Sequence, residues 1–345
     1  MLEHGGKLRH AAQRYGIALD QWMDLSTGLN PQAWPVCDIP TSAWARLPED
    51  EDSLIEIAQH YYGAANCLPV AGSQAAIQIL PRLYTQHKNT LRVGMLTLAY
   101  AEHAHAWQSA GFKLILLAAD EIETWLNQLD ILLLVNPNNP TGHTFESAQL
   151  LNWHQQLSAR GGSLIVDEAF MDPTPEKSLT PYTAQKGFVV LRSLGKFFGL
   201  AGARVGFVFA EPGWLHRLAE LLGPWPISGP SRMIAAAALE DRIWQADMRK
   251  KLQRQGQRLA HLLTDNGLPV SGGTALFQWV ETAQAESVHQ QLARQAILTR
   301  LFTQPCSLRF GLPADEQQWH RLERALIELD YTDEGSDSLC EVAGR

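Results

Sequence analysis

From Cys67 onward, short apolar runs alternate with helical ones, and this alternation constrains the fold more than any other feature. Runs over 67–71, 92–98, 113–117, Ile131–Val135, 163–166, 187–191 and 204–209 read as strands. A helix opening at Gly72-Ser73-Gln74 and running to Leu83, and others over 102–110 and 146–160, fall between them. The run Ile131–Val135 is ILLLV, with no polar position. A strand that is apolar throughout, rather than alternating, is covered on both faces. Strands joined through helices therefore predict an α/β unit with a mostly parallel sheet between helical layers. In such sheets the chemistry sits on loops at the carboxyl ends of the strands.

Those loops carry unusual residues. After 187–191 the chain reads Arg192-Ser193-Leu194-Gly195-Lys196-Phe197-Phe198-Gly199-Leu200-Ala201-Gly202-Ala203-Arg204. A lysine among small and apolar residues is poorly solvated, which favours its neutral, nucleophilic amine. Such amines form covalent links with carbonyls. Ser193 and Arg204 suit a phosphate, Arg204 as a charged fork. Together they point to an aldehyde that carries a phosphate. After Ile131–Val135 comes Asn136-Pro137-Asn138-Asn139-Pro140-Thr141-Gly142, and after 163–166 comes Asp167-Glu168-Ala169-Phe170. The acidic pair reads as a helix cap or as metal ligands, but no histidine pattern supports a metal. Asn139, Asp167 and Lys196 close successive strands, 28 and 29 positions apart. Ser73 stands where a helix opens, either as an N-cap or as part of an anion site.

The lysine stretch resembles the S-x-S-K-x-x-G-L-x-G-x-R-x-G motif of fold type I pyridoxal-phosphate aminotransferases. Ser193, Lys196, Gly199, Leu200, Gly202, Arg204 and Gly206 match it, and Gly195 replaces the second serine. The Asn-Pro and Asp-Glu loops resemble N-P-x-N-P-T-G and D-E-A-[YF] of the same family. The resemblance implies an α/β fold with a large domain built on a mostly parallel seven-stranded sheet, plus a smaller α+β domain. It implies pyridoxal 5'-phosphate as cofactor, with Lys196 and Asp167 catalytic. Asp167 would pair with the pyridine nitrogen, Asn139 with the ring hydroxyl, and Tyr100 would stack on the ring. Ser73, Gln74, Ser193 and Arg204 would hold the phosphate. Phe170 stands where many members have tyrosine, and Leu47-Pro48 replaces a Tyr-Pro pair whose hydroxyl reaches the partner subunit's cofactor.

After Glu211-Pro212-Gly213 the pattern changes. A helix over 214–223, a rigid break at 223–230 and a long helical region over 231–266, bent near Asp241, lead into strands at 268–271, 276–280 and 307–311. Helices over Ala285–Arg294 and 315–329 complete a second, α+β domain. The expected division is an N-terminal arm over 1–38, a large cofactor domain over 39–238, a small domain over 239–330 and a polar tail over 331–345. Pro35, Pro40 and Pro48 predict a largely extended segment from Trp34 to Pro48.

Within the family, the chain resembles the threonine-phosphate decarboxylases of cobalamin biosynthesis. The matching features are His4-Gly5-Gly6, Asp24-Leu25-Ser26 leading to Asn30-Pro31, the phenylalanine of Asp167-Glu168-Ala169-Phe170, and Arg192-Ser193-Leu194. That resemblance implies a small phosphorylated amino acid as substrate, with Arg309 on its carboxylate and His4 and Arg300 on its phosphate. Gly28 stands where some decarboxylases have an asparagine on that phosphate. The alternatives are an aminotransferase of histidinol-phosphate type and a partner subunit of the same pathway. A net charge of −8 argues against nucleic acid or an anionic membrane as partner. Four scattered cysteines, without a C-x-x-C pair, and an N-terminus without an apolar core predict a cytoplasmic protein. The family resemblance implies a homodimer.

Overall fold

The computed structural model describes residues 4–87 and 90–330; the expected polar tail lies outside the described residues. The chain forms two compact units. The larger comprises Ala33–Asn139 and His143–Arg249, and the smaller comprises Met1–Gln32, Pro140–Gly142 and Lys250–Arg345.

The larger unit is built on seven strands: β1 (Leu68–Val70), β2 (Val93–Leu96), β3 (Leu114–Leu117), β4 (Ile131–Val135), β5 (Ser163–Asp167), β6 (Phe188–Ser193) and β7 (Gly206–Phe209). Their order across the sheet is β1-β7-β6-β5-β4-β2-β3. The run from β6 to β3 is parallel, whereas β7 is antiparallel to both its neighbours. Every residue of β4, β5 and β6 is buried. Val70, Met95, Trp107, Leu133, Ile165, Val189, Val208 and Trp214 belong to one continuous core cluster. Double-sided cover explains why these strands read as unbroken apolar runs.

Two local expectations change and a third is met. The segment expected to be extended before Pro48 contains the helix Thr41–Ala45. Pro40 sits just before it at φ −65°, which suits a helix start, and its carbonyl accepts from Ala43 N–H at 3.0 Å. The helix expected to reach Leu83 is regular only over Ser73–Ile79, with tighter turns over Leu80–His87. Pro81 has no N–H to continue the α ladder. The long helical region does break at Asp241, giving Gly229–Glu240 and Arg242–Asp265. The Asp241 carboxylate accepts from Trp244 N–H and from Trp34 Nε1, each at 3.0 Å.

Helix Gly229–Glu240 packs on helix Leu54–Tyr62, and beside them an ion pair ties the unit together. Arg232, 2% exposed, donates to both oxygens of Asp52 at 2.6 Å and to Asp50 at 3.0 Å. Burial opposes ionisation of Asp52, but the Arg232 hydrogen bonds outweigh it and hold the carboxyl below its usual range. A depressed folded value adds stability above the unfolded pKa, and that stability is lost as pH falls through the folded one. Arg232→Met is therefore expected to cost about 1–3 kcal/mol at neutral pH. The difference from wild type should narrow between about pH 5 and pH 3. Urea unfolding at both pH values checks it, and a constant difference refutes the pairing as its source.

The smaller unit holds an antiparallel sheet of β8 (Gly272–Gly273), β9 (Phe277–Glu281), β10 (Arg300–Thr303) and β11 (Cys306–Gly311), ordered β10-β11-β9-β8. Helices Ala285–Arg294 and Glu316–Ile327 bury Val288, Leu292, Trp319 and Leu322. A strand expected over 268–271 does not form, because Pro269 cannot donate to a ladder. Pairing starts instead at Gly272 and Gly273, where a Cβ would lie 2.2 Å from Thr141 O and from Gln278 Oε1 respectively. The N-terminal segment joins this unit through Met23–Asp24, which pairs in parallel with Ile297–Leu298.

Candidate active site

The antiparallel turn-back of β7 builds an anion cradle in the larger unit. Gly206 pairs with Val70 on one side and Ser193 on the other. A Cβ on Gly206 would lie 2.4 Å from the backbone nitrogen of Ser73, so only glycine allows the helix Ser73–Ile79 to start there. The first turn of that helix carries the N–H groups of Ser73 and Gln74. Arg204, in the left-handed region at φ 54°, brings its guanidinium against Gly72. A Cβ on Gly72 would sit 2.6 Å from Arg204 Nη2. Ser73, Ser193 and Arg204, expected from two separate stretches, thus gather at one end of neighbouring strands β1, β7 and β6. Hydroxyls, helix-start amides and a guanidinium form a donor set for a phosphate.

A second group gathers around Asp167, at the end of β5. Asp167 is 3% exposed; its Oδ2 lies 2.9 Å from His103 Nε2, and its Oδ1 accepts from Ala169 N–H at 3.0 Å. His103 belongs to the helix Ala101–Ser109, which begins just after Tyr100. Tyr100 donates to Gln74 Oε1 at 3.2 Å, and Gln74 Nε2 donates to Glu102 Oε2 at 2.6 Å. The Gln74 side chain therefore links the two groups, which leaves its backbone N–H as its means of meeting an anion. The Asn-Pro loop is tied to the same region, since Asn138 Nδ2 donates to Leu98 O at 2.9 Å and Asn136 N–H to Asp167 O at 2.9 Å. Asn139 follows, half-buried.

Lys196 is half-buried, with Nζ 5.2 Å from the centroid of the Phe170 ring. Phe197 and Phe198 are fully buried behind it, and Trp244 stacks on Phe198 at 5.6 Å. Gly195 takes the place of a serine because the loop is tight: a Cβ there would meet Ala201 Cα at 3.1 Å. His103 is the residue that the sequence reading missed. Its partner is 64 positions away, and a histidine in a short helix carries no local signal of that pairing.

In the smaller unit, Arg300 and Arg309 face each other across β10 and β11. Directly opposed residues of an antiparallel pair share a face. Arg309 is buried, donates to Ser26 O at 2.7 Å and lies 5.2 Å from the Phe277 ring centroid. Ser26 in turn accepts from Gly6 N–H at 2.8 Å and donates to Asp24 at 2.6 Å. A Cβ on Gly5 would lie 2.3 Å from Ser26 O. The His4-Gly5-Gly6 and Asp24-Leu25-Ser26 motifs are thus one packed assembly, with His4 exposed at its end. Gly28 has φ +60°, and a Cβ there would meet Phe277 at 3.2 Å, so no larger side chain fits without moving that ring.

A lysine, phosphate-type donors and a buried carboxylate at the ends of strands in a sheet of this order are what a fold type I pyridoxal-phosphate enzyme requires. The model of the family described as Aminotransferase class I and II matches residues 47–326, and the chain belongs to that family. It is 54% identical to a threonine-phosphate decarboxylase from Pseudomonas aeruginosa, over 95% of this chain and 98% of the relative. It is 38% identical to a threonine-phosphate decarboxylase from Sinorhizobium sp., over 95% and 98%. Among solved structures, a histidinol-phosphate aminotransferase from Sinorhizobium meliloti in complex with pyridoxal-5'-phosphate superposes with a TM-score of 0.81 at 21% identity, over 95% of each chain. Among the described residues no helix is long and apolar enough to cross a membrane.

Proposed function

We propose that the protein decarboxylates L-threonine O-3-phosphate to (R)-1-aminopropan-2-yl phosphate, the aminopropanol unit of cobalamin. The structural observation that carries this reading is the facing pair Arg300 and Arg309. Two cationic side chains on one face of the sheet suit a ligand with two anionic groups. Threonine phosphate offers a carboxylate and a phosphate on one molecule, and histidinol phosphate has no carboxylate; 2-oxoglutarate, its partner in amino transfer, is also a dianion, so the relatives decide between the two readings. The two threonine-phosphate decarboxylase relatives support decarboxylation.

Pyridoxal phosphate, when bound, supplies an electron sink for the bond pair released at the substrate's α-carbon. The protein's own residues do the rest. Lys196 would hold the cofactor covalently, and its amine would serve as the proton carrier. Asp167 would keep the pyridine nitrogen protonated, with His103 fixing its carboxylate. Ser73, Gln74, Ser193 and Arg204 would hold the phosphate, Asn139 the ring hydroxyl, and Tyr100 would stack on the ring. Arg309 binds the α-carboxylate and sets its rotation, which is catalysis by orientation. Arg300 and His4 bind the substrate phosphate.

The test is to supply threonine phosphate and measure carbon dioxide against keto acid. Efficient amino transfer from histidinol phosphate to 2-oxoglutarate, with no carbon dioxide, would transfer the chain to the aminotransferase reading. Arg300→Ala is expected to raise KM roughly ten- to a hundredfold, since a charged hydrogen bond is worth about 1.5–3 kcal/mol.

We also propose a cytoplasmic homodimer. Its support is apolar surface on two elements in contact: Trp44 and Leu47 in and after helix Thr41–Ala45, and Trp225 and Met233 in and before helix Gly229–Glu240, are all exposed.

A further inference from the structure

Behind Asp167 and Ser193 lies a buried charge cluster that the reaction does not use. Arg192, 1% exposed, donates from Nη1 to Glu168 Oε2 at 2.9 Å and from Nη2 to Asp172 Oδ1 at 2.8 Å. Glu168, fully buried, also accepts from Ser178 Oγ at 2.5 Å and from Leu179 N–H at 2.7 Å. Asp172 accepts from the Tyr61 hydroxyl at 2.9 Å. Arg249 donates to that hydroxyl at 3.1 Å and to Asp172 O at 2.9 Å. The Arg192 guanidinium lies 4.7 Å from the centroid of the Tyr62 ring.

The cluster is joined to the site through single peptide bonds. Glu168 follows Asp167, and Arg192 precedes Ser193 by one residue and Lys196 by four. Neighbouring residues on extended backbone point to opposite sides. Asp167 and Ser193 therefore serve the cofactor side, while Glu168 and Arg192 meet behind them. The backbone already joins these ends, since Glu168 N–H donates to Leu191 O at 2.9 Å. The side-chain fork adds a second tie beyond the last ladder bond.

Stability alone is a weak reason for such a cluster. Desolvating buried ions costs about as much as their attraction returns, and well-packed apolar residues often do as well. Burial pushes the Glu168 carboxyl up, against Arg192, Ser178 and the Leu179 amide. What a fork held at both tines does provide is a fixed spacing.

We propose that Arg192 is a positioning residue, which holds the end of β5 at a set distance from the end of β6 through Glu168 and Asp172 and so aligns Asp167 with Ser193 and Lys196. The inference rests on the cofactor roles of Asp167 and Lys196. Borohydride labelling of Lys196 in the wild-type enzyme tests those roles separately.

The variants are Arg192→Lys, which keeps the charge but loses the fork, Asp172→Asn, and Ser178→Ala, which removes only the hydroxyl on Glu168. Each is read as apoprotein melting temperature, pyridoxal-phosphate affinity on reconstitution, and the pH midpoint of the bound cofactor's visible band. Displacement of a reacting group by about 1 Å costs roughly a hundredfold. Arg192→Lys is expected to weaken cofactor binding roughly tenfold or more and to lower kcat with KM little changed. It should also move the band's pH midpoint. Ser178→Ala and Asp172→Asn should move the same readouts less, in the same direction. A lower melting temperature with affinity and band midpoint unchanged means a purely structural cluster and overturns the proposal. If Arg192→Lys does not fold, Ser178→Ala decides: an unmoved affinity and midpoint there also overturns it.

Discussion

Lys196→Ala is expected to leave a folded protein that no longer holds pyridoxal phosphate covalently and turns over at least about a thousandfold more slowly. Two contributions are lost together. In the proposed mechanism the amine is the covalent anchor, and a positioned proton carrier alone contributes about 10²–10⁴-fold. The fold should survive because the lysine loop does not depend on that side chain. Phe197 and Phe198 are fully buried behind it, Trp244 stacks on Phe198, and Phe198 O accepts from Trp34 N–H at 2.9 Å. Truncating a half-buried side chain should change stability by no more than about 1 kcal/mol. Borohydride reduction with peptide mapping checks the anchor, and a label on another lysine would sink the assignment.

The second large effect is expected at Asp167. Its carboxylate is almost fully buried, and its partners are His103 and one backbone amide. In the proposed site this carboxylate is the partner of the pyridine nitrogen, and removing one member of a buried ion pair costs about 3–5 kcal/mol. If that cost falls on the transition state, turnover drops by about a hundred- to a few thousandfold. Asp167→Asn separates charge from shape, since it keeps the volume and the Ala169 contact. It should lose nearly as much turnover as Asp167→Ala while binding cofactor better than the alanine variant does. Turnover within a few-fold of wild type in a cofactor-saturated Asp167→Asn enzyme shows that the charge is not what matters.

The cofactor half of the site is legible in the chain because strand ends are legible. Ile131–Val135, 164–166 before Asp167 and 188–191 before the lysine loop are apolar, so the polar residues that follow them have to lie at the sheet's rim. The rest depends on long-range geometry. His103 meets Asp167 across 64 positions, and Arg192 meets Asp172 across 20, with no periodicity to announce either pairing. Strand β10 was not anticipated, because Arg-Leu-Phe-Thr is half-exposed and too short to show alternation. The strand expected at 268–271 does not form for a different reason: its apolar residues suit a strand, but Pro269 cannot donate to a ladder. Helix Thr41–Ala45 was hidden by prolines that start it rather than forbid it.

The facing arginines of β10 and β11 have one more consequence. Two cationic side chains on one face of a short sheet offer, in the proposed site, a place where an anion binds the folded chain and not the unfolded one. Binding and stability are then two readings of one quantity. Inorganic phosphate or sulfate in a buffer should occupy the same place, so the protein's apparent melting point and its apparent affinity for substrate are expected to move in opposite directions as those salts are added.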